Sequence, residues 1–327
     1  MSRALVAPDD FKGTFTAPQV AAAIAAGVRR GGAEADELPI ADGGDGTMDA
    51  LLASLGGSVH VAQVADPLGR PVRARWAMLE EGQAAVVEMA QASGLRHVGA
   101  HERDPWSATT RGTGELIAAA VAAGARKVLV AVGGSATTDG GAGAVEVLRE
   151  ADVRAQIVVL CDVRVAFEDA ARVFGPQKGA DPDTVARLSE RLHTLAQASP
   201  RDPRGRPMTG AAGGLSGGLW AHCGAELVDG ARFVLDAVAF DGRVREADIA
   251  VSGEGRLDEQ TLTGKAVAEV ARRCAAESRP LHVVVGSSAL NAAEIAALGV
   301  ASVREASTLE ELERAGQELA LAMAVTR

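Results

Sequence analysis

Short unbroken apolar runs alternate with helical patterns along most of this chain, and that alternation restricts the fold more than any other feature. Val128-Leu129-Val130-Ala131-Val132 and Ile157-Val158-Val159-Leu160 are apolar at every position, as strands covered by helices on both faces require. Strands alternating with helices imply mainly parallel sheets, in which ligands gather at the carboxyl ends of the strands. Hydrophobic residues make up 47% of the chain, aromatic ones only 3%, and tyrosine is absent. The core must therefore be built from Ala, Val, Leu and Ile. A length of 327 residues suits two domains or one large α/β domain.

The opening reads as strand, loop and helix. Leu5-Val6-Ala7 leads into Pro8-Asp9-Asp10, Thr16 caps a helix bearing Val20, Ile24 and Val28, and Gly31-Gly32 ends it. A second unit follows, with a strand at Glu37-Leu38-Pro39-Ile40, the turn Ala41 to Gly46, and a helix from Thr47 through Leu51, Leu52 and Leu55. From Ser58 to about Met89 the period changes to two, in three runs parted by Asp66-Pro67-Leu68-Gly69 and Glu80-Glu81-Gly82. An antiparallel meander and a change of domain are expected there. Alternation resumes with a helix over Gly114 to Ala123 and a helix after Asp139, and continues to strands at Asp248 to Val251, Leu281 to Val285 and Ala301 to Val303. Residues 199–218, rich in Pro and Gly, read as a lid or linker.

A formal charge of -10 argues against nucleic acid as partner. No run reaches the roughly 18 apolar residues of a membrane span, and the N-terminus lacks the apolar region of a signal peptide. Cys161, Cys223 and Cys274 are odd in number and widely spaced, which fits a reduced cytoplasmic setting.

The chain holds four lysines against twenty-nine arginines, and three of the four stand beside glycine: Lys12-Gly13, Lys178-Gly179 and Gly264-Lys265. A compact ammonium next to a residue without a side chain can approach an anion closely. The glycine-rich run Gly133-Gly134-Ser135-Ala136-Thr137-Thr138-Asp139-Gly140-Gly141-Ala142-Gly143 joins an apolar strand to a helix, where backbone N–H groups and the helix dipole favour an anion. Its spacing is neither the Rossmann nor the Walker pattern, and close helix–strand packing is the other reading of its glycines. Gly253-Glu254-Gly255-Arg256-Leu257-Asp258, followed by Thr263-Gly264-Lys265, sets acids, a guanidinium and an ammonium at a strand end. Asp42 and Asp45 on a glycine turn suit Mg²⁺, or form an ordinary Asp-Gly turn. Asp162, directly after an apolar strand, suits a base facing a cleft, or a helix cap. His97 and His101 have Gly99 between them, which argues against a zinc pair.

Together these segments resemble the bacterial-type glycerate kinase family. The resemblance is carried by Ala7 to Gly13, Ala41 to Thr47, Asp66 to Val72, Thr110 to Ile117, Gly133 to Gly143, Val173 to Ala180, Gly210 to Leu215, and Ser252 to Asp258 with Thr263 to Lys265. It implies an ATP- and Mg²⁺-dependent cytoplasmic enzyme that phosphorylates D-glycerate, commonly at the 2-hydroxyl. The implied fold is α/β with two domains. One is a Rossmann-like parallel-sheet domain made from residues 1–60 and about 245–327, and the other an inserted α/β domain over about 61–244 that holds the meander.

On this basis Asp162, Lys12 and Lys178 are expected to be catalytic, and Asp9, Asp42, Asp45, Arg256 and Lys265 to bind substrate. Gly133, Gly134, Ser135, Thr137, Thr138, Asp139, Gly140 and Gly141 are expected to bind nucleotide, and Asp42 with Glu254 to hold Mg²⁺. Two departures from the family stand out. The connection between the helix after Gly143 and the strand before Asp162 is short, and Arg164-Val165-Ala166-Phe167 replaces the family's Asn-Pro-Leu and small residues. Those departures leave room for another small hydroxy acid as substrate, or for a regulator that binds without turnover.

Overall fold

The computed structural model describes residues 1–80, 82–262 and 265–325. Among them eleven strands follow in chain order: β1 (Arg3–Val6), β2 (Glu34–Glu37), β3 (Gly57–Ala65), β4 (Pro71–Leu79), β5 (Ala84–Glu88), β6 (Lys127–Ala131), β7 (Gln156–Cys161), β8 (Glu226–Asp229), β9 (Ile249–Leu257), β10 (Leu281–Ser288) and β11 (Ser302–Glu305). They form a five-stranded sheet, β11-β10-β9-β1-β2, and a six-stranded sheet, β3-β4-β5-β6-β7-β8. The chain packs as two compact units. The first takes Met1–Asp42, Asp49–Leu55 and Ala231–Arg327, and the second Gly43–Met48 and Gly56–Gly230.

In the first unit every strand pair is parallel. Ala4, Val6, Val251 and Val284 form its floor, against which Val20, Ile24 and Val28 of the helix Ala17–Arg30 and Leu312, Ala315 and Leu319 of the helix Leu309–Val325 are buried. The first of these helices starts where the sequence sets it. The Thr16 hydroxyl accepts from Gln19 N, the Gln19 side chain accepts from Thr16 N, and Gly31 closes the far end. The expected strand at Glu37–Ile40 instead ends at Glu37. Leu38 and Ile40 still donate to Val6 O and Pro8 O, but Pro8 has no N–H to return a bond to Leu38 O, and the ladder ends.

In the second unit β3, β4 and β5 form the antiparallel meander, and β5 through β8 run parallel. Asp66 fixes the first turn. Its carboxylate accepts from Leu68 N at 2.8 Å, Arg70 N at 2.9 Å and Arg70 Nε at 2.6 Å, the side-chain turn that Asp favours. Val64, Ala74 and Trp76 then pack with Leu116, Ile117 and Ala120 of the helix Arg111–Ala122.

The expected lid or linker at 199–218 is corrected in its second half. Thr209 through Leu219 are buried, with a 3-10 turn at Ala211–Gly214 and a helix at Leu215–Cys223. The glycines here serve close approach: a Cβ on Gly213 would stand 2.0 Å from Thr137 O, and one on Gly218 2.3 Å from Gly140 O.

The two helices over the first sheet meet backbone to backbone. A Cβ on Gly27 would lie 1.8 Å from Glu313 O, and one on Gly316 2.1 Å from Ile24 O. Gly27→Val and Gly316→Val should each destabilise the protein by about 1–3 kcal/mol or more through overpacking. Urea unfolding tests this, and wild-type stability in either variant would contradict the packing described.

Candidate active site

The first unit's cavity forms where β9 passes the segment after β1. Buried Ile249-Ala250-Val251 carries the chain into Ser252-Gly253-Glu254-Gly255-Arg256, and Asp9 N donates to Gly253 O at 2.8 Å. This approach depends on missing side chains. A Cβ on Gly255 would stand 3.1 Å from Lys12 N, and one on Gly253 2.0 Å from Val284 O. The result is a cavity of about 400 Å³ whose wall includes Asp9, Lys12, Asp42, Glu254, Arg256 and Lys265.

Its electrostatics are those of carboxylates removed from water near one another. Asp9 is buried, and its pKa is held well above the ordinary carboxylate range, first by burial and then by the charges of Asp42 and Asp10. Asp10 N donates to its Oδ1 at 2.7 Å, which opposes that rise only in part. Glu254 is pushed up to about 7, chiefly by burial, with Asp42 and Asp258 adding to the rise and Lys265 opposing it. The Thr261 hydroxyl donates to Glu254 Oε1 at 2.6 Å and fixes the carboxyl's orientation. Asp42 is buried, with Lys12 Nζ 4.0 Å from its Oδ2. Arg256 is exposed, its Nε 3.8 Å from Asp258. Lys265 sits at the N-cap of the helix Ala266–Ala276, while Thr263 and Gly264 of the same motif lie outside the described residues.

Thr261 was not singled out from the sequence. A signal for it exists, since Thr three residues after Asp at a helix start is a capping pattern, and its hydroxyl also accepts from Asp258 N at 3.2 Å.

The second unit holds the glycine loop. Gly133 packs on the Gly43–Gly46 turn, where a Cβ would lie 2.6 Å from Gly44 Cα. Gly134 has φ +74°, and Ser135 bridges to Gly94. The last part of the loop is closed by its own carboxylate. Buried Asp139 accepts from Thr110 N and Oγ1, both at 2.8 Å, from Gly141 N at 3.1 Å and from Gly143 N at 3.2 Å. Gly140 N donates to Gly213 O. Those amides are therefore occupied, as is the Ala136 amide, which donates to Ser93 O at 3.0 Å.

In the half from Gly133 to Thr138 the hydroxyl oxygens of Thr137 and Thr138 are buried without a hydrogen-bond partner among the described residues. Buried Lys178 donates to Thr137 O at 2.5 Å. Asp162, immediately after β7, keeps company with Lys178: burial pulls the amine down to about 7 while Asp139 and Asp162 resist. Asp162 also helps burial push the Cys161 thiol up. Beside the closed end of the loop lies a further cavity of about 470 Å³, where Asp139 and Gly140 share the wall with Arg149, Arg191 and His222.

The expected residues thus gather in two places. Asp9, Lys12, Asp42, Glu254, Arg256 and Lys265 share the first unit's cavity. Asp162 and Lys178 stand with Asp139 in the second. Asp45 also belongs to the second unit, where it pairs with Arg96. Among the described residues no three of His, Cys, Asp and Glu converge into a self-sufficient metal cage.

A family model described as the glycerate kinase family matches residues 4–151 and 147–325. The chain belongs to the glycerate kinase family. The glycerate kinase of Bacillus subtilis (strain 168) is 38% identical, the match covering 86% of this chain and 84% of that protein. The glycerate 2-kinase of Escherichia coli (strain K12) is 36% identical, with coverage of 86% and 84%. The crystal structure of a candidate glycerate kinase 2 from Salmonella typhimurium LT2 superposes with a TM-score of 0.85 at 32% identity, over 99% of both chains. The two matched stretches of the family model meet at residues 147–151, at the connection that is short in this sequence.

Lys178 gives a pH test. A lysine in the unfolded chain titrates near about 10.4, whereas the buried amine titrates at about 7. Between these values the unfolded chain binds the extra proton, so stability rises with pH through the window, and the deficit is fully present below about 7. The stability difference between wild type and Lys178→Met, from urea unfolding, should therefore shift in favour of wild type as pH rises from about 7 towards 10. A difference that is flat with pH would contradict a buried, weakened amine.

Proposed function

We propose that this family member transfers the γ-phosphoryl group of ATP to the 2-hydroxyl of D-glycerate, giving 2-phosphoglycerate and ADP. The observation that carries the reading is the first unit's cavity. It sets Glu254, with a pKa of about 7, beside the cations Lys12, Arg256 and Lys265. A small hydroxy acid needs a cation for its carboxylate and a base for its hydroxyl, and transfer needs compensation for phosphoryl charge. Arg256 offers a fork for the carboxylate, and Lys12 and Lys265 serve the phosphoryl oxygens.

Glu254 takes the hydroxyl proton as the new O–P bond forms and the bond from the γ-phosphorus to the bridging oxygen of ADP breaks. A carboxylate poised near neutral pH is suited to that exchange. Asp162, expected as the base from its place after β7, belongs to the second unit with Lys178 and does not line the cavity that holds the cations, so Glu254 is preferred.

The nucleotide reading rests on the Gly133 to Thr138 half of the glycine loop. Buried Thr137 and Thr138 hydroxyls without partners among the described residues, next to the Lys178 amine on Thr137 O, are donors suited to phosphate oxygens. Magnesium fits the cavity's donor set. Asp9 and Asp42 are buried oxygen donors whose mutual repulsion a cation would relieve, and Mg²⁺ commonly uses one or two carboxylates, completing its shell with phosphate oxygens and water. When bound, it would neutralise charge on the transferring group. Asp42 with Asp9 would hold it. The setting is taken as cytoplasmic, where the free thiols of Cys161, Cys223 and Cys274 stay reduced.

A coupled ADP-release assay over D-glycerate and related hydroxy acids tests the reaction. Phosphorus NMR of the product then reads regiochemistry, because phosphate on the 2-oxygen couples to one proton and gives a doublet, whereas the 3-position gives a triplet. A doublet is expected, and no glycerate-dependent ADP release would overturn the reading. Glu254→Gln should lower kcat by about 10²-fold or more and abolish an acid limb in wild-type kcat/KM with a midpoint near 7. An unchanged limb would remove Glu254 as base.

A further inference from the structure

Among the described residues two sheets give four edge strands, and three of them are short and charged. β2, β8 and β11 have four residues each. They carry Glu34, Asp36 and Glu37, then Glu226 and Asp229, then Arg304 and Glu305. Short charged edges resist pairing with other chains.

The fourth edge is different. β3 has nine residues, Gly57-Ser58-Val59-His60-Val61-Ala62-Gln63-Val64-Ala65, with no Asp, Glu, Lys, Arg or Pro. One side is laddered to β4 along its full length, from Gly57 opposite Leu79 to Ala65 opposite Pro71. The other side pairs with no strand among the described residues. Val59 and Val61 project from one face at 45% and 49% exposure. On the opposite face the His60 ring stacks on Trp76, centroids 4.4 Å apart, and Ser58 Oγ lies 2.9 Å from His60 Nε2. The strand is therefore anchored on one side and on one face, with its other edge open.

We infer that β3 is a pairing surface for a second copy of this chain, the two β3 strands running antiparallel across a two-fold axis to make one continuous sheet. An open edge needs a strand as its occupant, because only a strand satisfies a row of alternating N–H and C=O groups. Antiparallel self-pairing is isologous, so each copy gives and receives the same bonds and the assembly closes as a dimer. Local charge singles out the edge at which a copy can pair: self-pairing through acidic β2 or β8 would set like charges opposite one another, which is destabilising. At β3 a second copy meets no such clash, and Val59 and Val61 of both chains share one apolar stripe.

Sedimentation equilibrium across a concentration series tests this, together with hydrogen exchange of wild type at low and high concentration. Wild type is expected to reach the mass of two chains and no more, with amides of residues 57–65 gaining protection as concentration rises. Val61→Lys, on an exposed face, should weaken the dimer by roughly tenfold or more, since the axis brings both lysines into the interface, while activity per chain is unchanged. A wild type that stays monomeric would overturn the inference, as would open-ended association. A dimer without concentration-dependent protection of 57–65 would also overturn it, whether or not the variant folds.

Discussion

The candidate active site depends on carboxylates kept together out of water. Asp9, Asp42 and Glu254 are all buried, and Asp42 raises the pKa of both its companions. Such a group is unfavourable in an empty protein and becomes favourable when cations or protons arrive. The fold sustains it by holding Glu254 in the parallel ladder of β9 with β10 and Asp9 through its N–H on Gly253 O. The cations respond to that field: Lys12 lies toward Asp42, and Lys265 opposes the rise at Glu254.

The second unit solves a different problem with the same residue types. Asp139 is buried too, yet it is saturated by four donors from Thr110, Gly141 and Gly143, so its charge holds a helix start in place rather than awaiting a ligand. Lys178 is the reverse case, an amine whose burial exceeds its compensation. A saturated buried charge builds structure, and an under-compensated one is available for chemistry.

Much of the fold was legible because its determinants are local. Thr16 with Gln19 marks a helix start, Asp66 with Gly69 a turn, and the uniformly apolar runs around Val130 and Val159 the central strands. The end of β2 was misplaced because Leu38 and Ile40 keep the apolar signal while Pro8, opposite them, has no N–H to donate. The glycines of 210–218 read as loop because composition cannot separate glycine needed for freedom from glycine needed for contact, and the Thr137 and Gly140 carbonyls they meet are 76 and 78 residues away in sequence. At the site, residue types at strand ends pointed to Asp9, Lys12, Asp42, Glu254 and Arg256, which do share a cavity. What the sequence did not reveal was the division of labour: that Asp139 is spent on its own loop, that Thr261 orients Glu254, and that Asp162 stands with Lys178.

The central claim is that the few retained lysines mark places where an ammonium meets a transferring phosphoryl group, and the most direct measurement compares them one at a time. Steady-state kinetics of Lys12→Ala and Lys265→Ala should show kcat/KM for glycerate reduced by roughly 10-fold to 100-fold, as expected for a lost charge-assisted contact. Lys127→Ala, at the start of β6 and away from the cavity wall, should leave it unchanged. Equal losses at all three positions, or none at Lys12 and Lys265, would contradict the account.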